Sequence, residues 1–213
     1  MAQSSLPVLY SFRRCPYAMR ARMALNSAGV KVEHREILLK NKPPSMLQAS
    51  AKGTVPVLVL ADQDILDESW QIAVWALSGN DPENLLGANK QFLDATAPLV
   101  ERCDGEFKSA LDKYKYSDRQ PLSATVYRQQ GMPFLNLLES MLQNSRCLLS
   151  NQLTVADIAL MPFVRQFAHV DKPWFEQCGL PRLAQWLDLF IASERFQAAM
   201  QKHPLWEFDR IAG

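Results

Sequence analysis

Cys15 stands in the stretch RRCPYAMRAR, residues 13–22, directly after Arg13 and Arg14 and directly before Pro16. A cysteine does chemistry as the thiolate, and cationic neighbours or a helix N-terminus favour that form. This stretch offers both. Residues 16–29 read as a helix, with Pro16 in its first turn and Gly29 just past its last. The preceding LPVLYSF, residues 6–12, reads as a buried strand. Cys15 therefore falls at a strand-to-helix junction, where its sulfur faces unsatisfied N–H groups and the positive end of the helix dipole. Arg13, Arg14 and Arg20 reinforce that field. The chemistry implied is nucleophilic attack by sulfur; the competing reading is an inert residue at a strand end.

Several further elements must position this thiol. VKVEHREI (30–37) alternates like a strand, and PPSMLQAS (43–50) reads as a short helix. TVPVLVL (54–60) is an apolar run whose Pro56 restricts it to a sheet edge or a strand start, compatible with a cis peptide. ILDE (65–68) is a short strand and SWQIAVWALSG (69–79) a helix, giving the order β-α-β-α-β-β-α. SGNDPENLLG (78–87) is rich in turn formers. Beyond it, the stretches 90–116, 122–144, 154–168, 180–192 and 194–202 carry helical patterns with no convincing alternation. The expectation is a small α/β domain over residues 1–78, a linker over 79–87 and an all-helical domain over 88–213.

Composition narrows the function classes. The 213 residues carry a formal charge of +1, which gives no bulk argument for nucleic acid or a membrane surface as partner. No apolar run approaches the roughly 20 residues that span a bilayer. MAQSSLPVLYSF lacks a basic segment followed by a long apolar one, so no signal peptide and a cytoplasmic location are expected. Cys15, Cys103, Cys147 and Cys178 are scattered, without zinc spacing or a disulfide framework. Four free thiols are expected, three of them in packing roles. His34, His169 and His203 are isolated in sequence, with no ligand spacing among them.

C-P-Y-A followed by R-A-R, then T-V-P-V-L, then D-E-S-x-x-I, resembles the cytosolic glutathione S-transferase superfamily. The likeness is greatest to its cysteine-bearing, omega-like branch, which overlaps in chemistry with glutaredoxins. The resemblance implies a thioredoxin-like domain followed by an all-helical domain, that is, α/β plus all-α. It also implies glutathione as co-substrate, no metal, a small-molecule or protein-thiol second substrate, and a homodimer. Cys15 takes the catalytic position, with Pro16, Tyr17 and Pro56 in support. Val55, before Pro56, resembles the residue whose backbone pairs with the cysteinyl part of glutathione. Glu68 and Ser69 resemble the acid–serine pair that holds the γ-glutamyl end, carboxylate to ammonium and hydroxyl to carboxylate. Lys42 resembles the lysine that meets the glycyl carboxylate, with Lys40 and Lys52 as substitutes. A plain helix cap at Glu68 and Ser69, and a solvated Lys42, are the bland alternatives.

Position 18 is alanine, so no second thiol is present to resolve a mixed disulfide internally. Monothiol exchange follows, in which Cys15 becomes glutathionylated and a second glutathione releases it. Tyr10 and Ser11 offer a different mechanism, since other branches use a tyrosine or serine in this region to activate glutathione for conjugation. Tyr10 lies within an apolar strand, where packing is its simpler role. A non-enzymatic partner-binding protein on the same fold is a third reading. In the helical half, Thr154 and Asp157 have capping-box spacing, with Leu153 and Ile158 placed for a hydrophobic staple; their role is folding. A second-substrate cleft between the domains is implied, with Tyr114, Tyr116, Phe163, Phe167 and Trp174 as candidate walls. Aromatic residues at helical spacing are nevertheless ordinarily core.

Overall fold

The computed structural model describes residues 6–207. Backbone contacts divide them into two units, one of residues 6–80 with 197–207 and a second of Asp81–Phe196. The first unit follows the order expected: β1 (Val8–Ser11), α1 (Pro16–Ser27), β2 (Glu33–Glu36), α2 (Pro44–Ala49), β3 (Val57–Val59), β4 (Ile65–Leu66) and α3 (Ser69–Gly79). The strands form one mixed sheet in the order β2-β1-β3-β4. β1 runs parallel to β2 with Val8 opposite Glu33, and antiparallel to β3 with Leu9 opposite Leu58. This is the thioredoxin-like arrangement.

Pro56 precedes β3, and the Val55–Pro56 bond is cis. β3 is flanked by β1 and β4, so of the two positions open to Pro56 it takes the strand start. Placed there, its missing N–H removes no ladder bond.

The ends of α1 show how sequence sets its limits. Pro16 supplies a fixed φ where no N–H partner is needed. At the other end Gly29, at φ +66°, adopts the left-handed turn that favours glycine. The Val30 N–H then bonds Leu25 O and the Gly29 N–H bonds Asn26 O, the Schellman closure. Asn80 Nδ2 donates to Ala28 O at 2.9 Å, so the residue ending α3 also satisfies the end of α1. The core around the first turn of α1 is Tyr10, Ala18, Ile37, Met46, Val55 and Val57, with Cys15 packed at its margin.

Residues 197–207 were expected to continue the helical domain, and they belong instead with the first unit. The Trp206 N–H bonds Glu36 O, Leu205 bridges to Glu36, and the His203 ring stacks on His34 with centroids 3.8 Å apart. His34 and His203, isolated in sequence, are thus face to face. A returning chain end of this kind has no local signature.

The second unit is helical: α4 (Gln91–Arg102), a π-helical turn (Cys103–Phe107), α5 (Lys108–Lys115), α6 (Ala124–Met141), α7 (Val155–Ala168), α8 (Lys172–Gln177) and α9 (Pro181–Ala192). α10 (Glu194–Ala199) straddles the boundary between the units. The sequence pattern contains all of these except α8, a single short turn capped by Asp171. At the start of the unit the Asp81 carboxylate accepts from the Leu85 and Leu86 N–H groups, both at 2.8 Å, so the expected linker is an ordered Asx-type turn.

Thr154 and Asp157 form the capping box of α7. Phe163, Phe167 and Tyr114 are buried, so these aromatic residues pack the helical core; Tyr116 is exposed and Trp174 half-buried. Phe107, Tyr114 and Trp174 all pack within 6.3 Å of Phe167. Among the described residues no helix is long and apolar enough to cross a membrane.

Candidate active site

Cys15 is the N-cap residue of α1, with extended backbone (φ −74°, ψ 124°). Its N–H bonds Phe12 O at 3.0 Å, and its carbonyl receives the Met19 N–H at 2.9 Å. The thiol is half-buried, and its Sγ lies 3.6 Å from Val55 O, next to the cis bond. The sequence reading pairs these two residues through glutathione, and the fold brings them together directly.

The second group forms where α1 packs on α3. Ser69 is the first residue of α3 and is buried; its Oγ accepts from Arg20 Nη1 at 3.1 Å. Arg20, expected to support the thiol, is therefore directed to the expected γ-glutamyl site, with its guanidinium 5.7 Å from the Tyr17 ring. Glu68 is the N-cap of α3 by backbone, yet its side chain caps nothing and stays exposed. It meets Lys52 Nζ at 2.6 Å, and Lys52 also reaches Asp67 Oδ1 at 2.8 Å. Ser50 Oγ donates to Asp67 Oδ2 at 2.7 Å. The Lys52 and Ser50 hydrogen bonds hold the Asp67 carboxyl below its usual range. Lys42 is half-buried with its Nζ over Gly53, close to where a Cβ at that glycine would stand. Gly53, directly after Lys52, has a φ of +61°.

Tyr10 and Ser11 are committed elsewhere. Tyr10 is 2% exposed; its hydroxyl donates to Ser45 Oγ at 2.9 Å and accepts from Arg35 Nη1 at 2.7 Å. Ser11 is fully buried and accepts from Arg22 Nη1 at 2.6 Å. The remaining cysteines are in poor settings for reaction. Cys103 is buried in the π-helical turn, and burial pushes the Cys147 thiol up to about 11 and raises that of Cys178. Cys147 is only half-buried, lining a cavity of about 660 Å³ in the second unit with Leu153, Trp186 and Phe190. That cavity contains none of the residues expected to hold glutathione.

The family model for the glutathione S-transferase N-terminal domain matches residues 9–84, and the model for its C-terminal domain matches 97–189. This chain belongs to the glutathione S-transferase superfamily. Rat glutathione S-transferase omega-1 is 24% identical over 198 residues, covering 92% of this chain and 77% of the rat protein. Glutathione S-transferase U19 of Arabidopsis thaliana is 26% identical over 200 residues, covering 88% of this chain and 86% of the plant protein. The solved glutathione transferase URE2P6 of Phanerochaete chrysosporium, in complex with oxidized glutathione, has a TM-score of 0.78 at 19% identity, covering 93% of this chain and 96% of its own. Omega and U-type relatives stand at nearly equal identity, so likeness alone assigns this glutathione S-transferase no class.

One residue of this transferase escaped the sequence reading. Arg13, Arg14 and Arg20 were named beside the thiol, yet the buried cation facing the turn before it is Arg22. Seven positions after Cys15, it falls two turns further along the same face of α1. That spacing is the signal that identifies it.

Proposed function

We propose that this glutathione S-transferase is a monothiol thioltransferase that exchanges disulfides at Cys15. One contrast carries the reading: the Cys15 thiol is half-buried at a helix N-cap with a long 3.6 Å contact to Val55 O, while Tyr10 and Ser11 are buried with their hydroxyls in short hydrogen bonds. In this reading the Cys15 thiolate attacks the glutathionyl sulfur of a mixed disulfide. A sulfur–sulfur bond to Cys15 forms, the original disulfide breaks, and the second substrate leaves as a thiolate that takes up a proton. The thiolate of a second glutathione then attacks the Cys15 adduct, releasing oxidised glutathione and restoring Cys15. Ala18 cannot resolve the adduct, so each cycle requires that second glutathione.

The backbone of Val55 supplies strand-like pairing for the cysteinyl part of glutathione. Ser69 and the first N–H groups of α3 suit the γ-glutamyl carboxylate, and Glu68 suits its ammonium group in competition with Lys52. Lys42 suits the glycyl carboxylate. The test compares two reactions, exchange on a small glutathione mixed disulfide and conjugation of an aromatic halide. Tyr10→Phe is expected to keep exchange within about threefold of wild type, because its hydroxyl never reaches the reacting sulfur. Conjugation that survives Cys15→Ala and disappears in Tyr10→Phe would contradict the proposal.

A further inference from the structure

Arg22 is 5% exposed, and its guanidinium is enclosed by acceptors. Nη2 donates to Arg13 O at 2.7 Å, Nη1 to Ser11 Oγ at 2.6 Å and to Phe12 O at 3.4 Å, and Nε to Ala199 O at 2.8 Å. Phe12 O is also the acceptor of the Cys15 N–H, so Arg22 and Cys15 hold one carbonyl from two sides. Three of its contacts fall on residues 11–13, the turn that presents the thiol. The fourth ties that turn to the returning chain end.

We propose that Arg22 is a positioning residue for Cys15: its buried guanidinium fixes the 11–15 turn and supplies the positive charge that holds the thiolate. The inference rests on Cys15 being the nucleophile. The hydrogen bonds of Arg22 go to neutral oxygens, Glu36 is the anion that opposes its charge, and a buried charge is weakly screened. Burial brings the Arg22 pKa down to about 10, partly offset by attraction to Glu36 and then to Cys15, so the group stays cationic near neutral pH.

The other charges around it are Arg13 in the turn, Glu36 on β2 and His203 on the returning segment. Burial pushes Glu36 up, but hydrogen bonds from His34 and the Arg13 N–H, with the charge of Arg22, hold it below its usual value as an anion. Burial, the charge of His34 and that of Arg22 keep His203 below its usual pKa, so it carries no charge where thiols titrate. Arg22 and Glu36 are thus opposed, and Cys15 is among the groups whose charge attracts Arg22.

The test is the pH profile of Cys15 alkylation by iodoacetamide, read by peptide mass, in wild type, Arg22→Gln and Arg22→Lys. Wild type is expected to show a midpoint below that of an ordinary thiol, about 8.5. In Arg22→Gln the midpoint rises by at least about half a pH unit, somewhat less than the roughly one to three that a directly adjacent opposite charge produces. Arg22→Lys, which keeps the charge, returns it to within a few tenths. A low wild-type midpoint that Arg22→Gln leaves unmoved, or that Arg22→Lys raises equally, overturns the role of Arg22. An ordinary midpoint in wild type overturns instead the reading of Cys15 as an activated thiol. Should Arg22→Gln not fold, Glu36→Gln probes the same field with opposite sign: the midpoint falls, and one that stays or rises overturns the inference.

Discussion

Cys15→Ala is expected to abolish disulfide exchange, lowering turnover by about 10³-fold or more, as loss of a covalent nucleophile ordinarily does. The structure offers no substitute. Position 18 is alanine, Ser11 is buried against Arg22, and burial raises the thiols of Cys147 and Cys178. Glutathione affinity should change by less than about tenfold, since the proposed contacts come from Val55, Ser69, Glu68 and Lys42 and not from the thiol. Turnover on a mixed disulfide, beside equilibrium binding of an S-alkylated glutathione, separates the two effects. Full turnover in the variant contradicts the mechanism; lost binding would mean Cys15 is structural.

Asp157→Ala is expected to carry the largest penalty in stability, about 3–5 kcal/mol. Asp157 is fully buried, and its carboxylate accepts four hydrogen bonds. The donors are the Leu148 N–H at 2.9 Å, the Thr154 N–H at 2.9 Å, Thr154 Oγ1 at 2.7 Å and Trp186 Nε1 at 2.9 Å. One side chain thus joins the start of α7, the loop before it and α9. Its removal strands two buried N–H groups and an indole donor, each a desolvation loss of about 1–3 kcal/mol. Thr154→Ala should cost only about 1 kcal/mol, the usual value of a cap. Thermal unfolding should show Asp157→Ala melting roughly 10 °C below wild type. A shift as small as that of Thr154→Ala would mean Asp157 acts as a cap alone.

The sequence carries more of the fold than of the site. Pro16 and Gly29 mark both ends of α1, and the apolar run after Pro56 marks β3, because capping and strand-start chemistry is local. The capping box of α7 is legible for the same reason. The return of residues 197–207 is not, since it depends on Trp206 and His203 meeting β2 about 170 positions earlier. Within the candidate site, Cys15 and Val55 are proposed from motif and spacing, and the fold places the Cys15 Sγ 3.6 Å from Val55 O. The partners of the charged residues are not: Arg20 reaches Ser69, Lys52 occupies Glu68, and Arg22 faces inward. Sequence shows that a charge exists, and only packing decides which way it faces. The motif residues of the first unit are therefore readable as a set, while the electrostatics joining them are not.

The most direct test of Cys15 as the reactive thiol is an intact mass after incubation with oxidised glutathione, with wild type and Cys15→Ala side by side. Wild type should gain a single glutathione adduct, and the variant should gain none. An adduct of equal occupancy on the variant, or none on a wild-type protein that still binds glutathione, would contradict disulfide exchange at Cys15.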